Sequence, residues 1–257
     1  MKGIGIGTSD FKKMRVQDFY YIDKTMYIKD IIDNKSEVLL VTRPRRFGKT
    51  LNMSMLKYYF DIDQKDSRQL FDGLKIMQQD EKYTSKLGAY PVIYLTLKDV
   101  NDTNYKNMLL NLKTALLSVF REHRYLLESD KIYEDEKERI KDILFCREDE
   151  VALKVAIKEL SEYLYRYFDR PVILLIDEYD VPIQSAYIND YYDEAINFLK
   201  TFYGATFKDN PYLEKTVLTG VSRVAKESIF SGANNFVVYT IMDNEFADDF
   251  GDRKSVV

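Results

Sequence analysis

One cysteine, one histidine and no tryptophan stand among 257 residues. With Cys146 alone no intrachain disulfide can form, and a reducing compartment, the cytoplasm, is the simpler setting. With His123 alone, a histidine-rich metal centre and a Ser-His-Asp triad are both set aside. No stretch approaches the roughly 18–20 apolar residues of a membrane helix, and the short polar segment after Met1 lacks the apolar core of a signal peptide. No membrane role is expected. A formal charge of −4 supplies no global attraction to nucleic acid, which leaves only local basic patches for that purpose. Internal repeats and low-complexity linkers are also missing.

What remains is an ordinary globular composition, 46% hydrophobic and 31% charged, in a chain long enough for one large α/β domain or two small ones. The 21 tyrosines and 15 phenylalanines suggest amphipathic packing at the core edge, with base stacking as the alternative use.

Gly3, Gly5 and Gly7 alternate with isoleucines and read as an extended lead-in, since no strand precedes them and no GxGxxG spacing exists. A short helix is predicted within 24–33. Val38 to Thr42 is a continuous apolar strand of the parallel, doubly buried type. Leu51, Met55 and Tyr59 then recur at helical spacing. Further strands are predicted at 91–97, 171–176, 213–219 and 236–241. Helices fall between them, including a long helical stretch from Asn104 to Phe168 whose charged run 134–141 reads as a solvated face. Asn234-Asn235 reads as a turn. Alternating strands and helices predict an α/β fold: a mainly parallel sheet of about five strands, helices on both faces, and an inserted helical layer at about 102–168.

The first predicted strand runs into Arg43-Pro44-Arg45-Arg46-Phe47-Gly48-Lys49-Thr50, and a helix follows. A strand, a loop ending Gly-Lys-Thr and a helix together grip a triphosphate. Backbone N–H groups at the helix start face the phosphates, and the helix dipole favours their charge. Gly48 lets the backbone approach, Lys49 reaches the β- and γ-oxygens, and the Thr50 hydroxyl binds magnesium. The first glycine of GxxxxGK[ST] is replaced by Arg43. A non-glycine serves there if the loop enters with negative φ, which Pro44 favours. Arg43, Arg45 and Arg46 either bind phosphate or meet a partner. The strand at 171–176 ends in Asp177 and Glu178, at the carboxyl edge where ligands collect in open α/β sheets. Asp177 is the candidate magnesium partner, Glu178 the candidate general base for water, and Asp180 a third acid nearby. Thr219 ends the fourth strand as the candidate γ-phosphate sensor, with Ser222 second. Arg223 is a candidate transition-state cation or a surface ion pair. This sensor strand is expected between the phosphate-loop strand and the acidic strand.

Asp10-Phe11, Tyr21-Ile22-Asp23-Lys24-Thr25, Arg43 through Leu51, Tyr90-Pro91-Val92-Ile93, Leu175 through Asp180 and Thr219 through Arg223 occur in this order, and the set resembles the bacterial AAA-ATPase-like family of P-loop proteins. The resemblance covers residues 3–250 and implies that Arg43 in place of glycine is a family trait. It implies a P-loop NTPase fold, ATP and Mg2+ as cofactors, and a nucleotide site over Arg43, Pro44, Arg45, Arg46, Phe47, Gly48, Lys49, Thr50 and Leu51. In that family a PD-(D/E)xK nuclease-like domain often follows, and none is read here. Residues 1–250 are therefore read as one ATPase domain. The tail 251–257 breaks the pattern and matches one reading frame of a common sequencing adapter, so it is expected to be non-native or truncated. Two functions are open: Mg-dependent ATP hydrolysis driving a conformational change in a further domain or partner, or a nucleotide-gated switch that engages nucleic acid or protein without significant turnover. A small-molecule kinase fits less well, because no arginine-rich lid is evident and Glu178 beside Asp177 suits water activation.

Overall fold

The apolar run at 38–42 forms strand β1 (Val38–Thr42), and every residue in it is buried. Its side chains alternate between two cores: Val38 and Leu40 enter one, Leu39 and Val41 the other. Strands β2 (Val92–Thr96), β3 (Val172–Asp177), β4 (Leu213–Gly220) and β5 (Phe236–Tyr239) complete an all-parallel sheet in the order β2-β3-β4-β1-β5. The computed structural model describes residues 3, 5, 7–64, 67–222 and 236–251. Arg223, Asn234-Asn235 and the tail 252–257 lie outside the described residues. The sensor strand sits where the sequence places it: β4 pairs with β1 on one side and with β3 on the other.

One face of the sheet is covered by the short helices of the first third: α1 (Phe11–Val16), α2 (Met26–Asp33), α3 (Lys49–Phe60), α4 (Arg68–Phe71) and α5 (Glu81–Thr84). The other carries α6 (Tyr105–Glu122), α7 (Glu134–Leu144), α8 (Glu150–Phe168), α9 (Val181–Ile188) and α10 (Tyr192–Phe207). The helical layer therefore serves as the second cover of a doubly buried sheet. Local signals start these helices: the side chain of Asn104 accepts from the Asn107 N–H at the head of α6, and Asp149 does the same for Ala152 at α8. Asp169 ends α8 in the left-handed conformation. Among the described residues no helix is long and apolar enough to cross a membrane.

Three details differ from the sequence reading. Helix α1 was not anticipated; the Asp10 carboxylate caps it, accepting from the Lys13 N–H, and the Phe11 N–H donates to Ser54 Oγ on α3. Strand β5 stops at Tyr239, because the N–H and hydroxyl of Thr240 both donate to the Asp243 carboxylate and turn the chain. Four tyrosines, Tyr27, Tyr59, Tyr179 and Tyr203, lie fully inside the core, beyond its edge.

After β5 the chain returns over α2 and the start of α3. Phe246 and Phe250 pack edge-on against Tyr27, and Asn52 Nδ2 donates to the Asp249 carbonyl at 2.9 Å. The Asp249 carboxyl is buried beside that of Asp30. Burial, then the Asp30 charge, push it up to about 7, against the pull of Lys24, and Asp248 adds to the rise. Asp30 is raised as well, by its own burial first. A carboxyl raised in the folded state favours folding when protonated. That contribution is complete below the ordinary value of 3.8 and is lost as pH climbs to about 7. Asp249→Asn is expected to shrink the difference in urea midpoint between about pH 5 and about pH 8. An unchanged difference contradicts the raised Asp249 carboxyl.

Candidate nucleotide site

The loop between β1 and α3 begins by extending the sheet: the Arg43 N–H donates to the Gly220 carbonyl at 3.1 Å. Arg43 keeps a negative φ, whereas Arg46 and Gly48 take left-handed values of 69° and 78°. The loop thus turns at Arg46 and Gly48, and its first position has no conformational need for glycine. No side chain caps α3. Its first N–H groups lie at the positive end of a twelve-residue helix. Lys49 bends back across the loop and donates to the carbonyls of Arg43 and Pro44, each at 2.9 Å.

A cavity of about 910 Å³ opens here. Arg45, Arg46, Gly48, Lys49 and Thr50 line it from the loop side, and Glu178 and Asp180 from the far end of β3. The lysine of the early loop and the acids from much later in the chain therefore face one space. Their fields meet on Lys49. Burial lowers its affinity for the proton, and Asp177, Glu178 and Asp180, in that order, oppose the loss.

Asp177 is buried, and its carboxylate accepts a short hydrogen bond from the Thr219 hydroxyl, so the candidate metal partner and the candidate sensor touch across β3 and β4. Glu178 is different in kind. It is half-buried in a left-handed conformation, φ 57°, where a non-glycine residue is uncommon. Among the described residues its carboxylate makes no hydrogen bond or ion pair. Burial first, then the adjacent Asp177, raise its proton affinity, while Lys49 lowers it. A carboxylate with those surroundings, aimed into a cavity, suits proton transfer.

The structure separates other residues that the sequence groups together. Arg43 turns away from the cavity. Its guanidinium donates to the carbonyls of Thr42, Tyr239, Glu245 and Phe246 and lies 5.3 Å from the centre of the Phe250 ring. It fastens the segment after β5 to the loop, and only its backbone carbonyl meets Lys49. Its side chain is thereby corrected from a phosphate ligand to a structural bolt. Pro44 likewise contributes a carbonyl, and Phe47 leans on Gly251. Asp180 is buried as a clamp: one carboxylate oxygen accepts from the N–H of Val221, the N–H and hydroxyl of Ser222, and Gln184 Nε2, at 2.6–3.0 Å. Ser222 is thus held by Asp180.

Two positions that fix the exit of β4 were not singled out from sequence. The Tyr179 hydroxyl donates to the Ser222 carbonyl at 2.8 Å. Gly220 lies under that ring: a Cβ there would fall 2.6 Å from Tyr179 Cε1 and 2.7 Å from an Asp180 carboxylate oxygen. The signal was present in Thr219-Gly220, but only the fold shows what the glycine approaches. Gly220→Ala is expected to lower stability by about 1–3 kcal/mol, read as a reduced denaturation midpoint. A midpoint equal to that of the unsubstituted chain rules out the tight contact.

The described residues contain no group of three His, Cys, Asp or Glu side chains placed to hold a metal ion. Of the two oxygens expected from sequence to meet magnesium, Thr50 lines the cavity, whereas Asp177 is buried against Thr219. Compared with known proteins, the chain matches the family model described as "Predicted AAA-ATPase" over residues 5–230. It is 27% identical over 241 residues to the "Uncharacterized protein in vnfD 5'region" of Azotobacter chroococcum mcd 1, covering 91% of this chain and 40% of that relative. The chain thus spans well under half the length of that relative. No solved structure matches. With its all-parallel sheet, its phosphate-type loop and a family model matched over most of its length, the chain belongs to the predicted AAA-ATPase family.

Proposed function

We propose that this cavity binds Mg·ATP and that the chain hydrolyses it, using turnover to move a further domain or a partner. One observation carries the reading: Lys49 and Glu178, far apart in the chain, line the same cavity within reach of the Asp177 charge. In this reading Lys49 leaves the carbonyls of Arg43 and Pro44 to bind the β- and γ-oxygens, and the first N–H groups of α3 hold the remaining phosphate charge. Thr50 and Asp177 hold the metal, which neutralises charge on the phosphates when bound. Glu178 orients the attacking water and takes its proton. Thr219, already bonded to Asp177, relays the presence of the γ-phosphate into β4. The exposed Arg45 and Arg46 at the cavity wall add charge to the phosphate grip.

Phosphate release from ATP by the purified chain, with and without magnesium, tests the proposal. Steady magnesium-dependent turnover supports it. Tight nucleotide binding with no turnover favours the switch, in which the same residues hold ATP to gate contact with a nucleic acid or protein. Absence of binding removes both readings.

A further inference from the structure

A separate cavity of about 260 Å³ lies at the amino ends of β3 and β4, the opposite end of the sheet from the phosphate loop. Ile31 and Ile32 of α2, Phe60 at the end of α3 and Ile173 of β3 give it an apolar floor, and all but Ile32 are buried. Lys86 and Tyr90 line it from the segment between α5 and β2, and Lys215 from β4. We infer that this cavity binds a small monocarboxylate, whose apolar tail lies on the isoleucines and whose charge meets Lys86 and Lys215. The inference does not depend on the nucleotide reading.

Two ammonium groups reach one cavity, and among the described residues neither touches a carboxylate. Lys215 Nζ donates to the carbonyls of Asn34 and Ser36 at 2.7 and 2.8 Å, and Lys86 Nζ donates to the Tyr90 hydroxyl. Each ammonium has three hydrogens to donate, so one on Lys215 and two on Lys86 are left over. The Tyr90 hydroxyl, accepting from Lys86, keeps its own hydrogen for the same carboxylate. Burial lowers the proton affinity of Lys215, and Glu214 and Glu37 oppose the loss through their fields alone. An anion in the cavity relieves that burial cost. Lys82 also lines the wall, but Asp33 already neutralises it, and Glu214 is exposed at the rim. Floor and charge together select the ligand. An inorganic anion leaves the isoleucines bare, a hydrocarbon leaves the ammonium groups unanswered, and an amine meets like charges. The volume lies just below the roughly 300–1,000 Å³ of drug-sized sites, so the ligand is small.

Three isoleucines in the wall allow a direct test. Butanoate, hexanoate, hexanol and hexylammonium are titrated into the chain carrying ¹³C-labelled isoleucine δ1 methyls, without nucleotide, and into Lys86→Met. Methionine keeps the apolar stem and removes the charge, and Lys86 is only half-buried, so the fold tolerates the change. Hexanoate is expected to give saturable shifts centred on Ile31, Ile32 and Ile173, and to bind roughly tenfold tighter than butanoate for its two added methylenes. Lys86→Met is expected to weaken hexanoate roughly tenfold and to leave hexanol unchanged. No saturable shift at those three methyls, hexylammonium binding as tightly as hexanoate, or equal hexanoate affinity in Lys86→Met overturns the site. The methyls of the remaining isoleucines report whether the variant is folded.

Discussion

Glu178→Gln is expected to cut ATP turnover by roughly 10²–10⁴-fold while Mg·ATP affinity stays within a few-fold. Glutamine keeps the size of the side chain and can still orient a water, but it accepts no proton at neutral pH. The left-handed backbone at Glu178 holds the carboxylate at the cavity, and its raised proton affinity comes from burial and from Asp177. Both causes act on the carboxylate alone, so the substitution removes base strength and leaves the phosphate grip intact. Nucleotide titration alongside single-turnover phosphate release measures the two effects separately. Turnover equal to that of the unsubstituted chain eliminates Glu178 as base. The same substitution also predicts a change in the pH profile. A raised carboxyl must lose its proton before it accepts another, so the acid limb of kcat stands above the ordinary glutamate range in the unsubstituted chain and is absent from the residual activity of the variant.

Lys49→Ala is expected to weaken Mg·ATP binding by at least about 100-fold, because it deletes the cation proposed to bond the phosphate oxygens. The side chain is buried, and burial already disfavours its charge. The compensation comes from Asp177, Glu178 and Asp180, which are left facing one another once the ammonium is gone. The variant therefore loses an attraction for phosphate and gains a repulsion toward it. The carbonyls of Arg43 and Pro44 also lose their donor, a smaller cost that a thermal melt without nucleotide isolates. Nucleotide affinity within threefold of the unsubstituted chain excludes Lys49 from the site.

Much of this was legible in the sequence, and for identifiable reasons. A buried parallel strand leaves an unbroken apolar run, so β1 and β3 could be bounded almost to the residue. Gly48-Lys49-Thr50 and Glu178 stand out in the sequence because such residues are few in kind, and the fold brings them to one cavity. What escaped was the direction of side chains. Three arginines within four positions look equivalent on paper, yet Arg43 serves the carbonyls after β5 while Arg45 and Arg46 line the cavity. Asp180 read only as a third acid nearby, because its four donors lie on Val221, Ser222 and Gln184, which no local pattern connects to it. Short α1 was missed for the same reason: its partner, Ser54, becomes a neighbour only in space.

The placement of β4 has a consequence for how the molecule is made. Strands β1 and β3 never touch; each pairs with β4, which is formed from residues 213–220. On a ribosome, the loop bearing Lys49 emerges long before, and the edge bearing Asp177 still ahead of, the strand that unites them. Neither half can be drawn together until almost the whole described chain has been synthesised, and such long-range closure is slow. A nucleotide that bridges the two halves would then act as a late staple, rewarding only chains in which the middle strand has slid home.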